Sequence, residues 1–134
     1  YNYLKSKGAG ENVVSAVKNP KVIIELQQSN LETEYDGSDR RATVFWEPLK
    51  GLKLSNGGKQ SPAVKLEHEF DYAVDDIKNH KNHADRRKVN SKDYDNAEEK
   101  RVIIGSEAAR KLGQVIRYDH KGTTFEVIDP RYIK

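Results

Sequence analysis

The stretch SPAVKLEHEFDYAVDDI, residues 61–77, decides the fold because it combines a helix start with a helical pattern of apolar side chains. Ser61 is able to cap free backbone amides, and Pro62 suits the first helical position, where no hydrogen bond is lost. Five apolar residues recur at the spacing of one helix face: Leu66, Phe70, Ala73, Val74 and Ile77. The sequence therefore predicts a helix that runs to about Ile77 with one buried face.

The same helix carries a His-Glu pair on the face that adjoins its apolar stripe. The pattern H-E-x-x-Y places His68 and Tyr72 four residues apart, so both side chains project from one face. In the related pattern H-E-x-x-H, two imidazoles bind zinc and the Glu activates the metal-bound water as general base. A phenol replaces the second imidazole here. By itself the pattern is weak, because a lone helix His is more often a surface or packing residue.

Upstream of this helix the sequence predicts a small antiparallel sheet. Residues 21–28 and 31–35 are rich in β-branched or alternating side chains, and Asp36-Gly37 supplies a turn before residues 42–46, ATVFW. Large apolar groups lie on both faces of ATVFW, which is typical of a central or covered strand.

Weaker signals organise the rest of the chain. Residues 1–10 have no sustained period and are predicted to be a linker or arm, so that residues 11–134 form a single domain. That domain begins with a short helix over residues 11–18. Residues 51–60 are predicted to be a flexible loop, and residues 78–93, which are polar throughout, an exposed excursion.

Beyond that excursion the sequence predicts two helices and a strand. Asp95 or Asn96 caps the first helix, and Gly105 interrupts it. The second helix covers residues 107–116. Residues 123–128 form the strand.

Composition limits the chemistry that the chain is able to perform. It has a net charge of +3 from 24 basic and 21 acidic residues, and it has no cysteine. Any metal would therefore need His, carboxylate or Tyr ligands. The mixed charge does not indicate nucleic acid as a partner. No apolar run approaches the roughly 18 residues of a membrane helix, so no membrane association is expected.

Several segments, taken in order, resemble one protein family. They are TVFWEP at residues 43–48, SPAVKLEHEFDYA at 61–73, NAEEKRVIIGSE at 96–107 and LGQVIRYDHKGTTFEVIDP at 112–130. Together they span about two thirds of the chain and resemble the NleD-like effector and toxin metallopeptidase domains at the C-terminal ends of Rhs-type polymorphic toxins. The resemblance implies an α+β zincin-like fold, in which a small antiparallel sheet packs on the motif helix and downstream helices supply the third metal ligand.

Carried over residue by residue, the resemblance implies a zinc site. His68 becomes a metal ligand, Glu69 the general base, and one carboxylate of Glu98 or Glu99 the downstream ligand. Helical phase favours Glu98, although two Glu in the first turn of a helix are also favoured by its dipole and by capping. Tyr72 departs from the family pattern and has three interpretations: an unusual phenolate ligand, natural decay to a pseudoenzyme, or an engineered inactivating change.

The same resemblance implies a biological context. The expected activity is zinc-assisted hydrolysis of a protein substrate, by a soluble, secreted or delivered toxin domain that a cognate immunity protein inhibits. The domain is expected to be the C-terminal piece of a longer chain. Because a zincin cleft is commonly bordered by a strand that pairs with the substrate backbone, the ATVFW strand is a candidate for that role.

Two alternatives compete with a peptidase. One is a basic module that binds or cuts nucleic acid; its candidate residues are His80, His83, Arg86, Arg87 and Lys88. His80 and His83 form an H-x-x-H pattern, but the surrounding Asn and Lys favour a solvated loop over a metal site. His120 is predicted to lie in a turn rather than in the cleft. The other alternative is a catalytically dead binding domain.

Overall fold

The computed structural model describes residues 1–29, 33–36 and 42–134. In these ranges five helices and six strands form a mixed α+β fold with two small sheets. In chain order the elements are α1 (Asn2–Ser6), α2 (Glu11–Lys18), β1 (Ile24–Gln28), β2 (Glu34–Asp36), β3 (Ala42–Trp46), β4 (Lys50–Leu54), β5 (Lys59–Gln60), α3 (Pro62–Arg87), α4 (Ala97–Gly105), α5 (Ala108–Lys111) and β6 (Gly122–Glu126). The α+β class predicted from the sequence is confirmed.

The first sheet has the strand order β1-β3-β2, with the ATVFW strand, β3, in the centre as predicted. β2 pairs antiparallel with β3 and places Tyr35 opposite Val44, whereas β1 runs parallel to β3. The prediction of an antiparallel sheet is therefore wrong for one of the two pairs. The cause is the path of the chain. After β1 the chain forms β2 at the opposite edge of the sheet, and β3 then runs back between them, antiparallel to β2 and parallel to β1. Asp36 ends β2, while the rest of the predicted turn, from Gly37 on, and the first residues of the predicted strand 31–35 lie outside the described residues.

β4, β5 and β6 form a second sheet where residues 51–60 were expected to be a flexible loop. That prediction is wrong, because an Asn-Gly turn closes a hairpin. Gly57 has a φ of 83°, and Asn56 Oδ1 accepts a backbone N–H two residues on at 3.0 Å. Gly51 permits close packing on β6, since a Cβ there would lie 2.5 Å from the Phe125 ring.

Helix α3 packs its apolar face against the first sheet. Four of the predicted core residues are buried: Leu66, Phe70, Ala73 and Val74. They share one cluster with Val44 of β3, and Trp46 packs against it. Trp46 also donates its indole N–H to the carbonyl oxygen of Pro62 at 3.0 Å, which ties β3 to the first turn of α3. Ile77 is 37% exposed, so the apolar face ends before its predicted last member.

α3 continues past its predicted end to Arg87, with a kink at Asn79, where φ is −134°. Residues 78–87 are mostly exposed, as predicted, but they continue α3 instead of forming an excursion, and His83 among them is buried. The second half of the helix is attached through ion pairs, in which Arg86 bonds to Asp75 and Glu98, rather than through an apolar stripe. No apolar period marks such a segment in the sequence.

The first ten residues pack against the domain and do not form the predicted linker or arm. Leu4 of α1 and Ala9 belong to the main hydrophobic cluster. α2 spans Glu11–Lys18, as predicted. The carboxylate of Glu67, on α3, accepts the backbone N–H groups of Asn12 and Val13 at 2.6 and 3.0 Å. These bonds satisfy free amides at the start of α2 and fix it to α3.

The two predicted helix caps have different outcomes. Asn96 caps α4 by accepting the N–H of Glu99 at 2.9 Å. Ser61 does not cap α3 with its side chain, whose oxygen instead accepts a hydrogen bond from Gln114 at 3.0 Å. α3 still begins at Pro62 as predicted, because proline there loses no hydrogen bond.

The C-terminal elements are shorter than predicted. α5 covers only Ala108–Lys111 of the predicted residues 107–116, because Gly113, at a φ of 67°, ends the helical path. β6 spans Gly122–Glu126 rather than residues 123–128 and pairs with β4. No helix in the described ranges has the length and apolar character needed to span a membrane.

Candidate functional site

A pocket of about 180 Å³ lies between α3, α4 and β2. The residues around it include Tyr35, Glu69, Tyr72, His83, Arg87 and Glu99. Glu69, Tyr72 and Glu99 were predicted from the sequence as catalytic or metal-binding residues. The fold therefore brings one catalytic candidate and two ligand candidates to a single small space.

The edge strand β2, and not β3, borders this pocket. Glu34 and Tyr35 of β2 line it, and the backbone of Tyr35 makes a hydrogen bond to the Glu69 carboxyl. β3 is paired on both sides by β1 and β2. The prediction that the ATVFW strand pairs with a substrate backbone is therefore wrong, because that strand has no open edge.

The Glu69 carboxyl is placed to exchange a proton near neutral pH. Burial raises its pKa to about 8, against the opposing effects of the Tyr35 hydrogen bond and of the positive charges of Lys65 and Arg117. Its side chain is 13% exposed. A carboxyl group that titrates in this range is suited to act both as base and as acid.

His68 lies beside the pocket and contacts Tyr72. The two rings meet edge to face with centroids 4.9 Å apart, and His68 Nε2 is 4.0 Å from Glu69 Oε1. Burial, with the charges of Arg117 and Arg101, lowers the pKa of His68 to about 3. The imidazole is therefore neutral, which is the form that binds a metal. His68 borders a smaller void next to Arg117 rather than the pocket itself.

Tyr72 is held in its phenol form. Burial raises the pKa of its hydroxyl well above the usual value, and the negative charges of Glu69, Glu99 and Glu98 raise it further. Arg117 acts in the opposite direction, but it is outweighed. This environment disfavours a phenolate ligand and favours a hydroxyl that donates a hydrogen bond.

The structure separates the two adjacent glutamates that the sequence left open. Glu98 is fully buried and faces Arg86 and Arg101, away from the pocket. Glu99 lines the pocket; its Oε2 accepts the backbone N–H of Asp95 at 2.7 Å. The phase argument that favoured Glu98 is not supported, because α4 turns the Glu98 side of its first turn toward α3.

His83 was predicted to lie in a solvated loop, but its side chain is only 2% exposed. Its Nδ1 is 3.2 Å from Asp75 Oδ2 and 3.3 Å from Glu98 Oε1. Its Nε2 is buried and has no hydrogen-bond partner among the described residues. The ring also lines the pocket, with its centroid 6.4 Å from that of Tyr72. His80, by contrast, is exposed and lies 2.7 Å from Asp76.

The sequence analysis missed His83 as a site residue, although one signal was available. His83 follows Tyr72 by about three helical turns, so an uninterrupted helix would place both side chains on one face. The polar composition of residues 78–93 hid that continuity. Arg117, which influences the pKa values of His68, Glu69 and Tyr72, was not singled out either, because it is distant from them in sequence.

The basic segment at the end of α3 is partly neutralised within the protein. Arg86 bonds to Glu98 and Asp75, and Lys88 lies 3.9 Å from Asp85. Arg87 borders the pocket. These contacts reduce the positive charge that the segment offers to phosphate groups.

A further group of metal-type ligands lies at the rim of the pocket. One ligand atom each from Asp95, Glu99 and His120 lies within 4.8 Å of the others, and His120 Nδ1 is 2.8 Å from Asp95 Oδ1. His120 was placed outside the cleft by the sequence and does not line the pocket itself. Glu99 belongs to both the rim group and the pocket.

Comparisons of the chain with family models, with curated proteins and with solved structures found no match. The resemblance to NleD-like metallopeptidases accordingly stays a prediction from sequence motifs.

Proposed function

We propose that the chain is a zinc-dependent peptidase-type domain whose active site is the pocket between α3, α4 and β2. One observation carries the proposal: Glu69, Tyr72 and Glu99 line a single pocket beside an edge strand. A proton carrier, a hydrogen-bond donor and a metal-type carboxylate thus face the same space. Hydrolysis of a peptide bond assisted by a metal uses these groups.

The donor groups around the pocket suit zinc, which binds imidazole nitrogen and carboxylate oxygen. Glu99 would supply a carboxylate at the pocket wall, and His68, which borders the adjacent void, would supply a neutral imidazole once a side-chain movement brings its ring toward Glu99. When bound, zinc would polarise the substrate carbonyl and lower the pKa of a bound water. Tyr72 is a poor ligand, because its raised pKa keeps the phenol protonated.

Glu69 is the proposed proton carrier. In its ionised form it takes a proton from water as the water oxygen bonds to the peptide carbonyl carbon. In its acid form it delivers that proton to the nitrogen as the carbon–nitrogen bond breaks. A pKa of about 8 makes both forms accessible near neutral pH. The Tyr72 hydroxyl donates a hydrogen bond to the carbonyl oxygen, on which negative charge develops.

The proposed substrate is an extended segment of protein. β2 is an edge strand of the first sheet and borders the pocket, and its Tyr35 backbone is bonded to Glu69, so an extended substrate segment would lie along the pocket beside β2 rather than replace that bond. Delivery as a toxin and inhibition by an immunity protein rest on the sequence resemblance alone, and they remain predictions.

The test is cleavage of an unfolded protein, such as casein, by the purified chain with added zinc. We expect cleavage that a chelator abolishes and that Glu69→Gln reduces by about 10²- to 10⁴-fold, while calorimetry shows retained zinc binding. Glu11→Gln, which changes an exposed residue at the start of α2, is the matched control and leaves cleavage unchanged. A chain that neither binds zinc nor cleaves protein contradicts the proposal.

One observation favours a catalytically dead binding domain instead, namely the protonated phenol at position 72, where a second imidazole would strengthen a zinc site. Zinc binding without cleavage supports that alternative.

The nucleic-acid alternative predicts DNA or RNA affinity that falls steeply between low and physiological salt. The internal pairing of Arg86 argues against it.

A further inference from the structure

We propose that the hollow formed by α1, the end of α5 and residues 128–134 binds a small anionic amphiphile, that is, a molecule with an anionic head and one aliphatic chain. The hollow has a volume of about 620 Å³ and shares no lining residue with the pocket that contains Glu69. The inference therefore goes beyond the proposed function and does not depend on it. Its basis is an apolar lining combined with positive charges that lack partners.

The lining offers a large apolar surface to a ligand. Its aromatic and aliphatic members are Tyr3, Leu112, Ile128, Tyr132 and Ile133. Ile128 is 93% exposed and Tyr132 is 51% exposed. Covering such side chains removes apolar surface from water, which is favourable. A hollow of this volume also falls in the range that holds one small organic ligand. An aliphatic chain therefore suits it.

Hydrogen bonds hold the walls of the hollow in place before any ligand binds. The hydroxyl of Tyr3 donates to the carbonyl oxygen of Arg131 at 3.1 Å, and the backbone N–H of Ala63 donates to that of Pro130 at 2.9 Å. The rings of Tyr3 and Tyr132 meet edge to face with centroids 6.4 Å apart. Because these contacts attach the wall to α1 and α3, binding costs little additional ordering of the protein.

Positive charge surrounds the apolar surface. Arg131 is paired with Asp129, whose Oδ1 accepts its Nε–H at 2.9 Å. Lys7, Lys111 and Lys134 are exposed, and none of them forms an ion pair with another described residue. The lining thus has an excess of three positive charges, which equals the net charge of the whole chain. The remaining charges of the chain balance, so this hollow is where an anion is attracted most.

An amphiphile satisfies both properties of the hollow at once. A small inorganic anion would leave Ile128 and Tyr132 in water, and a neutral apolar molecule would leave the lysines without a partner. The flexible stems of Lys7 and Lys111 allow their ammonium groups to reach a head group at the mouth of the hollow.

A second hollow provides an internal comparison. It lies between α2 and β1, has a volume of about 580 Å³, and has no charged side chain among the described residues that line it. It is therefore expected to show no preference for an anionic head. Trp46, the single tryptophan, lines this second hollow, so tryptophan emission reports its occupancy.

The first experiment measures binding of decanoate to the purified chain by calorimetry, below the concentration at which decanoate forms micelles. Acetate tests the head without the chain, and decyltrimethylammonium tests the chain with the opposite charge. We expect decanoate to bind at least about tenfold more tightly than decyltrimethylammonium, acetate to give no binding, and added salt to weaken the decanoate complex. The emission of Trp46 should not change.

A pair of variants tests the apolar contact. Ile128→Ser should weaken decanoate binding by about fivefold to tenfold, because the ligand loses a side chain that it covers. Ile104→Ser is the matched control, since Ile104 is 55% exposed on α4 and does not line the hollow. Both side chains are largely exposed, so neither substitution should disturb folding.

A second pair of variants tests the charge. Lys7→Gln combined with Lys111→Gln should remove most of the preference for decanoate over decyltrimethylammonium and reduce the effect of salt. Lys18→Gln combined with Lys81→Gln is the control, because it removes the same charge from exposed positions that do not line the hollow.

Four results would overturn the inference. They are absence of decanoate binding, equal binding by Ile128→Ser and Ile104→Ser, equal affinity for decanoate and decyltrimethylammonium, and a change in Trp46 emission that accompanies binding. Binding to phosphatidylglycerol vesicles without binding of monomeric decanoate also rejects it, because the hollow would then contact a membrane surface rather than hold one molecule.

Discussion

The ring of Tyr72 meets the ring of His68 edge to face, with planes at 86° and centroids 4.9 Å apart. The H-E-x-x-Y motif thus places an imidazole and a phenol in direct contact on α3. The phenol cannot replace an imidazole as a ligand at neutral pH, because its pKa is raised by burial and by neighbouring carboxylates.

Tyr72→His is expected to strengthen zinc binding by at least about tenfold, which is about 1.4 kcal/mol. A neutral imidazole binds zinc without the proton release that a phenol requires, so the gain should be largest at neutral pH and shrink toward alkaline pH. Calorimetry and melting temperature with added zinc measure the effect. Tyr72→Phe, which keeps the ring but lacks the hydroxyl, is the control. Equal zinc affinity in the parent chain, in Tyr72→His and in Tyr72→His combined with His68→Ala would reject the metal site.

Phe70→Ala is expected to lower the free energy of unfolding by about 3–5 kcal/mol, since Phe70 is buried between α3 and the first sheet. Ile77→Ala, on the same helix but partly exposed, should cost less than about 1 kcal/mol. Chemical denaturation measures both. Similar losses for the two variants would show that the buried face of α3 is misplaced.

The protein should become less stable as pH rises from about 4.5 to above 7. Burial raises the pKa of Glu67 from 4.5 to about 7, although two backbone N–H donors act against the shift. Between those values the folded state binds more protons than the unfolded state, so unfolding becomes easier with rising pH. Glu69, with a pKa of about 8, acts in the same direction, whereas His68, whose pKa is lowered from 6.5 to about 3, acts against both below pH 6.5.

Glu67→Gln is the matched variant, because it cannot titrate and still offers one acceptor oxygen to α2. Urea unfolding measured across this pH range should show a shallower decline for Glu67→Gln than for the parent chain. A parent chain whose stability falls no more steeply than that of Glu67→Gln would mean that the two N–H bonds outweigh burial.

Arg86→Ala is expected to destabilise the domain by about 3 kcal/mol, because it leaves the buried carboxylate of Glu98 with one partner fewer. Arg87→Ala changes the neighbouring, exposed arginine and should alter stability by no more than about 0.5 kcal/mol. Thermal or urea unfolding measures the pair. If the two variants are equally stable, the ion pairs of Arg86 with Asp75 and Glu98 do not anchor the end of α3.

Elements whose stability comes from a local apolar period could be predicted from the sequence. The buried face of α3 through Val74 and the central position of β3 are examples, because a repeat of apolar side chains specifies each of them. The second half of α3 depends on pairs such as Arg86 and Glu98, which no local pattern relates to each other. The parallel pairing of β1 depends on the path of the chain rather than on strand composition.

In the candidate site, too, residues related by a local sequence pattern could be predicted, and residues brought together by long-range contacts could not. The H-E-x-x-Y spacing places His68 and Tyr72 on one helix face, and the family resemblance added Glu69 as the general base, so the motif predicted Glu69 and Tyr72 together. The choice between Glu98 and Glu99 could not be made from the sequence, because neighbouring helix residues point about 100° apart and the orientation of α4 decides which one faces the pocket. His83 depends on Asp75 and Glu98, whose contacts form only in the folded chain.

The hydrogen bond from Trp46 to the carbonyl oxygen of Pro62 gives the protein a built-in optical probe. Trp46 is the single tryptophan of the chain, so all indole emission reports on the contact between β3 and the first turn of α3. If that contact opens, the indole enters water and its emission moves to longer wavelength. The separation of the sheet from the helix that carries Glu69 is thus visible in the unlabelled protein, in real time.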